Sequence, residues 1–249
     1  NGHPDFSECS FDLSVERAAV IGIGNVAVDV ARILCRTEQE LLESDIADYA
    51  LEALSKSNIK EVIMLGRRGP AQAAFTNPEA KGLGQLAGAD FCGLPGEAAL
   101  DELSQADLKN GSENTVARKV DLLQQTARRE LSNKPKKLTI RFLVSPVALL
   151  ADDTSGVARL RIVKNELYRT ENGALRPQPT DRLEEMPVGL LFRSVGYRGL
   201  PLPGVPFNDD WGVILNDKGR IVDPASGELF TTNGDFEIVD MIVANSHDR

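Results

Sequence analysis

A glycine motif near the start of the sequence, Gly22-Ile23-Gly24-Asn25-Val26-Ala27, limits the possible folds more than any other segment. Apolar residues at 18–21 predict a short buried strand before it. Its two glycines and Ala27 fit the G-x-G-x-x-G/A pattern, in which the first glycine permits a tight turn and the second lets a pyrophosphate approach the backbone. Residues 17–36 therefore predict a strand, a glycine turn and a helix whose N-terminus can bind phosphate. A glycine turn that binds no ligand is the alternative.

The next predicted strand, Glu61–Leu65, is followed by two adjacent arginines, Arg67 and Arg68. Apolar residues at helical spacing fill 37–58, and a strand, a helical crossover and a second strand favour a parallel sheet with a right-handed crossover. At this strand end an NAD-binding unit carries an acidic residue for the ribose hydroxyls, but no Asp or Glu adjoins the arginines. Paired guanidiniums suit a 2′-phosphate, so the sequence favours NADP(H) over NAD(H). A solvated charge pair is the alternative.

The crossover between these two strands is unusually long. About 20 residues normally separate the glycine motif from the end of the second strand, and the separation between Gly24 and Gly66 is about twice that. The helical segment at 37–58 is therefore interpreted as an insertion of one or two helices, with Ser44 or Asp45 as candidates to start the second helix.

After residue 70 the hydrophobic pattern first continues with helical spacing and then changes to alternation. The alternating part predicts an antiparallel meander inside or beside the parallel unit. A later apolar strand ends in a second glycine-containing loop, and ligands bind at such strand ends in α/β folds. In chain order, strands are predicted at 89–92, 138–143, 147–150, 157–163, 187–192, 213–215 and 220–222, helices at 97–108, 113–132 and 237–243, and turns at 152–156 and 172–173.

Composition excludes several kinds of site and partner. A net charge of -9 argues against nucleic acid as a partner. Cys9, Cys35 and Cys92 are far apart with no C-x-x-C, so a disulfide framework, a zinc site and a redox dithiol are not expected. His3 and His247 lie near the ends, which argues against a histidine triad or metal cluster. No apolar run approaches the ~18 residues of a membrane span and no leader is evident, so we expect a cytoplasmic protein.

The predicted helix at 113–132 leads into the most basic region of this acidic chain. This charge favours docking of an acidic partner, and a solvated helix face is the alternative. The basic residues of the region are Arg118, Lys119, Arg128, Arg129, Lys134, Lys136 and Lys137.

Three separated segments, Gly24–Leu34, Gly66–Thr76 and Arg193–Gly199, together resemble the family of adrenodoxin reductase and mycobacterial-type ferredoxin–NADP reductases. The resemblance extends from Asn1 to about Gly234 and includes the long crossover. It implies an α/β fold in which a Rossmann-like parallel sheet carries an inserted antiparallel meander. It also implies a flavoprotein with two dinucleotide-binding domains. The implied parts of this chain are a linker from the FAD domain at 1–16, the NADP-binding domain at 17–193 and a segment returning to the FAD domain at 194–249.

The resemblance also implies which residues bind the cofactor. Ile23 to Val26 would hold the pyrophosphate, Arg67 and Arg68 the 2′-phosphate, and Glu79 would lie at the NADP site, although an acid at a helix N-terminus is the alternative for Glu79. No catalytic side chain is expected, because the flavin carries out the redox chemistry. The full set of implied cofactor-binding residues is Gly22, Ile23, Gly24, Asn25, Val26, Arg67, Arg68 and Glu79.

The implied function is electron transfer between NADPH and a ferredoxin through FAD. The family's FAD fingerprint precedes the linker, and its glycine-rich run is missing between Phe236 and Glu237. This chain is therefore expected to be a fragment that binds NADP(H) but not FAD, and to be inactive by itself. The alternatives are a relative of the glutamate synthase small subunit, a pyridine nucleotide–disulfide oxidoreductase, a self-contained NADP dehydrogenase and a stand-alone nucleotide-sensing domain. The disulfide enzyme needs a C-x-x-C, and a short-chain dehydrogenase needs a Tyr-x-x-x-Lys, and neither is present.

Overall fold

The computed structural model describes residues 10–110, 114–151 and 156–229, which fall into two compact units that divide after Val195. The first unit contains a parallel sheet, its helices and an antiparallel meander, and the second contains a short hairpin. The strands are β1 (Arg17–Ile21), β2 (Glu61–Leu65), β3 (Ala89–Gly93), β4 (Lys136–Arg141), β5 (Val144–Ala151), β6 (Val157–Arg169), β7 (Leu175–Pro187), β8 (Leu190–Arg193), β9 (Asn216–Asp217) and β10 (Arg220–Ile221). The helices are α1 (Asn25–Cys35), α2 (Glu38–Leu42), α3 (Asp48–Ser55), α4 (Asn77–Leu83), α5 (Pro95–Ala98), α6 (Glu102–Lys109) and α7 (Asn114–Arg128), with a 3-10 turn at Pro70–Gln72.

The parallel sheet has the strand order β3-β4-β2-β1-β8, and every pair in it is parallel. β1 and β2 are neighbours whose register runs from Arg17 opposite Glu61 to Ile21 opposite Leu65. The helices α1, α2 and α3 form the connection between them, so the predicted strand–helix–strand unit with a long helical crossover is confirmed. Because the strands share one direction, the loops after β1, β2, β4 and β8 meet at one edge of the sheet.

The two faces of the sheet are covered by different layers. Alternate residues of a strand point to opposite faces, and Val20 and Met64 belong to a core cluster with residues of α1, α4 and α7. Ala19 and Ile63, one position earlier, belong to a second cluster with Leu160 and other residues of β6 and β7. The antiparallel sheet β5-β6-β7 therefore covers one face and the helices cover the other. The predicted meander lies against the parallel unit.

Three predicted helix boundaries were wrong, and two of them have a local cause in a side-chain hydrogen bond. The second crossover helix begins at Asp48 after Ala47, because the Ser44 hydroxyl donates to the Leu41 carbonyl at 2.7 Å and closes α2. The helix predicted at 97–108 is divided into α5 and α6, since the Asp101 side chain accepts from Ser104 N at 3.0 Å and starts a new helix. The helix predicted at 113–132 ends earlier, at Arg128.

The strand predicted at 187–192, which corresponds to β8, also differs in detail from the prediction. β8 pairs with β1 alone among the described strands, and its residues are half-buried or exposed instead of fully buried. In the second unit the strand predicted at 213–215 is wrong, because Val213 forms only an isolated bridge with Asn208. The hairpin there pairs β9 with β10, and β10 overlaps the strand predicted at 220–222. The predicted helix at 237–243, most of the turn at 152–156 and the start of the linker at 1–16 lie outside the described residues. Among the described helices, none has both the length and the apolar character to cross a membrane.

Candidate nucleotide-binding site

The glycine turn after β1 is fixed by the first glycine of the motif. Gly22 has a φ of +124°, a conformation that residues with a Cβ rarely adopt. A Cβ at this position would lie 1.9 Å from the Ser194 carbonyl oxygen, at the end of β8. The Gly22 N–H donates to the Leu65 carbonyl at 2.9 Å, at the end of β2. The turn is therefore packed between the ends of the two neighbouring strands, and only glycine fits there.

The second glycine leaves the N-terminus of α1 open. Gly24 is the N-cap residue, no side chain caps the helix, and a Cβ on Gly24 would meet no atom within 4 Å. The first intrahelical hydrogen bond runs from Val28 N to Gly24 O at 3.1 Å, so the earlier N–H groups have no partner within the helix. The first turn carries no acidic residue. Open space, free donors and the positive end of the helix dipole suit a pyrophosphate.

The arginine loop, which follows β2 and contains Gly66, Arg67 and Arg68, lies directly against this turn. A Cβ on Gly66 would be 2.5 Å from the Ile23 Cδ1, so a glycine at position 66 lets the loop after β2 lie closely against the side chain of Ile23. Ile23 is 9% exposed and packs in the core. Arg67 is exposed and Arg68 is half-buried. The structure therefore brings the predicted pyrophosphate segment and the start of the arginine loop into contact.

A second connection fixes the segment after the arginines. The Phe75 N–H donates to the Ile23 carbonyl at 3.1 Å, and the Thr76 N–H donates to the Asn25 Oδ1 at 3.1 Å. The side chain of Asn25 thus fixes the segment at Thr76, while its backbone N–H belongs to the open first turn of α1. Val26, also in that turn, is 52% exposed.

Glu79 is placed differently from the other predicted site residues. It lies in the first turn of α4, and its carboxylate forms an ion pair with Arg32 on α1. Arg32 also contacts Asp29 at 3.0 Å. The described contacts of Glu79 therefore join α4 to α1, which agrees with its interpretation as a helix N-terminal acid. They do not bring it to the glycine turn or to the arginine pair.

A buried charge cluster near the same sheet edge was missed by the sequence analysis. The Arg141 guanidinium, 6% exposed at the end of β4, donates to both oxygens of Glu97 at 2.8 Å and to both oxygens of Glu184 at 2.8–3.0 Å. Lys164 also donates to Glu97 at 2.9 Å. Burial opposes the charge of Arg141, but the hydrogen bonds that it donates to the two carboxylates outweigh this effect and raise the pKa of Arg141. The same contacts with Arg141 lower the pKa of Glu184.

The cluster joins the two sheets, because Glu184 and Lys164 come from the meander and Arg141 from the parallel sheet. The sequence signal for it was weak. Arg141 lies between Ile140 and Phe142 in an otherwise largely apolar stretch, and such a position does not by itself distinguish a buried arginine from one that emerges into solvent.

The basic region around α7 contains two kinds of residue. Several lysines are used inside the fold. Lys119 donates to the carbonyls of Ala73 and Phe75, and Lys136 donates to the Leu34 carbonyl at 2.7 Å. In contrast, three exposed arginines have no ion pair among the residues that the structure describes. These are Arg118, Arg128 and Arg129.

Comparison with known proteins finds reductases that match most of this chain. No family model matches the sequence. The chain is 42% identical to NADPH-ferredoxin reductase FprA of Mycobacterium tuberculosis H37Rv over 221 residues, which cover 89% of this chain and 47% of that protein. It is 38% identical to the mitochondrial NADPH:adrenodoxin oxidoreductase of Mus musculus, covering 89% of this chain and 46% of that protein. The chain is homologous to these two reductases over about half of their length. The resemblance predicted from three motifs is therefore confirmed.

Solved structures of the mycobacterial reductase have the same fold. The chain matches the structure of Mycobacterium tuberculosis FprA in complex with NADPH with a TM-score of 0.77 and 42% identity, over 88% of this chain and 47% of that chain. The predicted α/β class, with a parallel sheet and an antiparallel meander, is confirmed by this match and by the observed topology. The chain spans about half the length of the FprA and adrenodoxin reductases that it matches.

Proposed function

We propose that this chain is the NADP(H)-binding portion of an FAD-dependent ferredoxin–NADP reductase, which passes electrons between NADPH and a ferredoxin through flavin. The observation that carries the proposal is the open N-terminus of α1 at Gly24, packed against the loop that bears the arginine pair. Homology to FprA and to adrenodoxin reductase supports it. The bound flavin would accept a hydride from the nicotinamide and pass single electrons onward.

The residues of this chain would bind and orient the dinucleotide. The backbone N–H groups at the start of α1 would hold the pyrophosphate, with Gly24 leaving the space for it. Arg67 and Arg68 would bind the 2′-phosphate by forked hydrogen bonds. Glu79 would support the site indirectly, because its ion pair with Arg32 fixes α4 against α1. No side chain of the chain is assigned a proton transfer.

The proposed domain organisation follows from the same assignment. We place a linker at 1–16, the NADP-binding domain at 17–193 and a segment that belongs to the FAD domain at 194–249. The division of the structure after Val195 supports the second boundary. Cys35 and Cys92 are buried free thiols, which suits a reducing cytoplasm.

The partner is proposed to be an acidic iron–sulfur protein of the ferredoxin type. Arg118, Arg128 and Arg129 are exposed on or next to α7 and have no ion pair among the described residues. Positive charge on an otherwise acidic chain would steer an acidic partner to this region.

The reductase assignment is tested by the absorbance and activity of the full-length protein. We expect a bound-flavin spectrum and NADPH-dependent reduction of a ferredoxin. We expect the 249-residue chain to bind NADPH without acquiring flavin absorbance when it is mixed with FAD. A full-length protein without flavin would contradict the reductase assignment and favour a nucleotide-sensing domain.

A further inference from the structure

A buried asparagine of the meander contacts the backbone of the arginine loop. Asn165 is 4% exposed and lies on β6, where the pairing with β7 shifts register. Its Nδ2 donates to the Arg67 carbonyl at 2.9 Å and to the Ser145 Oγ at 2.8 Å. Asparagine is uncommon in strands and a buried amide needs partners. Here the partner is a main-chain group of the proposed 2′-phosphate site.

The backbone N–H of the same asparagine supports the neighbouring arginine. Asn165 N donates to the Leu143 carbonyl at 2.7 Å, and Leu143 N donates to the Arg68 carbonyl at 3.1 Å. Leu143 has a φ of +55°, a left-handed conformation that is uncommon for a leucine and that this turn between β4 and β5 imposes. Val144 N donates to the Gly66 carbonyl at 3.0 Å. The carbonyls of Gly66, Arg67 and Arg68 therefore each accept a hydrogen bond from β5, from β6 or from the turn before β5.

This arrangement matters because the Arg67 side chain is exposed and its direction depends on its own backbone. Forked binding of a phosphate requires the guanidinium plane to start from a defined position. We propose that Asn165 is a positioning residue for recognition of the 2′-phosphate, so that the meander sets the preference for NADP(H) over NAD(H). This inference rests on the proposed binding of NADP(H) by this chain.

The test compares two ligands that differ only in the 2′-phosphate. NADPH and NADH are titrated into the 249-residue chain by calorimetry, for the wild type, Asn165→Ala and Asn165→Ser. Removing one positioning hydrogen bond, worth about 1 kcal/mol, should weaken NADPH binding roughly three- to tenfold and leave NADH binding unchanged. The serine variant keeps a hydroxyl beside Ser145 and is the milder change. Circular dichroism verifies that each variant is folded.

Thr180 provides a matched control in the same sheet. Its hydroxyl donates to the Lys164 carbonyl at 2.8 Å, one residue before the asparagine, and has no described contact with the arginine loop. Thr180→Val should leave both affinities unchanged. An equal loss of NADPH and NADH binding in the Asn165 variants, or no loss in either, would overturn the positioning role. A wild type that does not prefer NADPH would instead overturn the proposed cofactor.

Discussion

The carbonyl oxygen of Ser194 occupies the position that a side chain at Gly22 would need, since a Cβ there would lie only 1.9 Å from it. The contact joins the glycine turn after β1 to the end of β8. It explains why the first glycine of the motif is required by the fold itself, independently of any ligand.

Gly22→Ala should therefore destabilise the protein. The substitution places a Cβ in a backbone carbonyl and requires a φ of +124° that alanine disfavours. We expect the free energy of unfolding to fall by at least about 2 kcal/mol, measured by urea denaturation. A variant with wild-type stability would show that the turn can relax away from Ser194.

In contrast to Gly22→Ala, Gly24→Ala should weaken nucleotide binding and have little effect on stability. Its Cβ would meet no atom within 4 Å, so we expect a stability loss under about 1 kcal/mol, the size of a changed helix cap. The methyl group would project into the space proposed for the pyrophosphate. NADPH affinity, measured by calorimetry, should fall at least tenfold. Unchanged NADPH affinity would contradict the assignment of this space to the pyrophosphate.

The Arg141–Glu184 contact predicts a pH-dependent contribution to stability. The hydrogen bond from Arg141 lowers the pKa of Glu184, so the stabilisation is present above the ordinary glutamate pKa and is lost as pH falls through the lowered value. Because Glu184 is 38% exposed, we expect Glu184→Gln to cost only about 0.5–1 kcal/mol at pH 7. Urea denaturation at several pH values should show the difference from wild type shrinking below about pH 4.

Glu166→Gln is the control for this experiment. Glu166 pairs with Arg182 at 2.7 Å, but both side chains are largely exposed, at 70% and 60%. Such a surface pair contributes about 0–1 kcal/mol, so the variant should resemble wild type. A difference for Glu184→Gln that stays constant down to pH 3 would show that its carboxylate is not the titrating group.

Charge reversal of the exposed arginines around α7 should slow reduction of a ferredoxin by the full-length protein. Steering of an acidic partner depends on the local field and weakens with salt. We expect a lower second-order rate constant at low salt, a flatter dependence on ionic strength and an unchanged NADPH affinity. The substitutions are Arg118→Glu, Arg128→Glu and Arg129→Glu.

The matched control reverses three exposed arginines on the meander, so that the net charge changes equally. These are Arg159, Arg176 and Arg182. If both triple variants slow the reaction to the same extent, net charge and not the α7 region is responsible.

The local elements of the site could be predicted from the sequence because each depends on neighbouring residues. The glycine spacing around Gly22 predicts a strand, a turn and a helix without reference to the rest of the chain. The apolar run before Arg67 predicts the second strand in the same way. The long crossover had a second support in the family resemblance. The observed β1 and β2 lie at the predicted positions and pair in parallel as predicted.

The parts that could not be predicted depend on residues far apart in sequence. Asn165 contacts the backbone of Arg67 across 98 positions, and no periodic pattern signals such a pair. From the sequence, Glu97 is indistinguishable from an ordinary exposed acid of a helix, and only the structure shows that it is buried and paired with Arg141. A single cap was enough to divide a predicted helix at Asp101, because hydroxyl and carboxylate groups compete with the helix for backbone donors.

The proposed preference for NADP(H) is tested most directly by calorimetric titration of NADPH and NADH into the wild-type chain and into the variants Arg67→Ala and Arg68→Ala. Arg182→Ala, an exposed arginine on the meander, is the control. We expect the wild type and the control to bind NADPH at least tenfold more tightly than NADH. Each arginine of the pair should contribute about 1.5–3 kcal/mol through charge-assisted hydrogen bonds, so NADPH binding should fall roughly ten- to hundredfold in its variant and NADH binding should not change. Equal wild-type affinities for NADPH and NADH would contradict the assignment of the arginine pair to the 2′-phosphate.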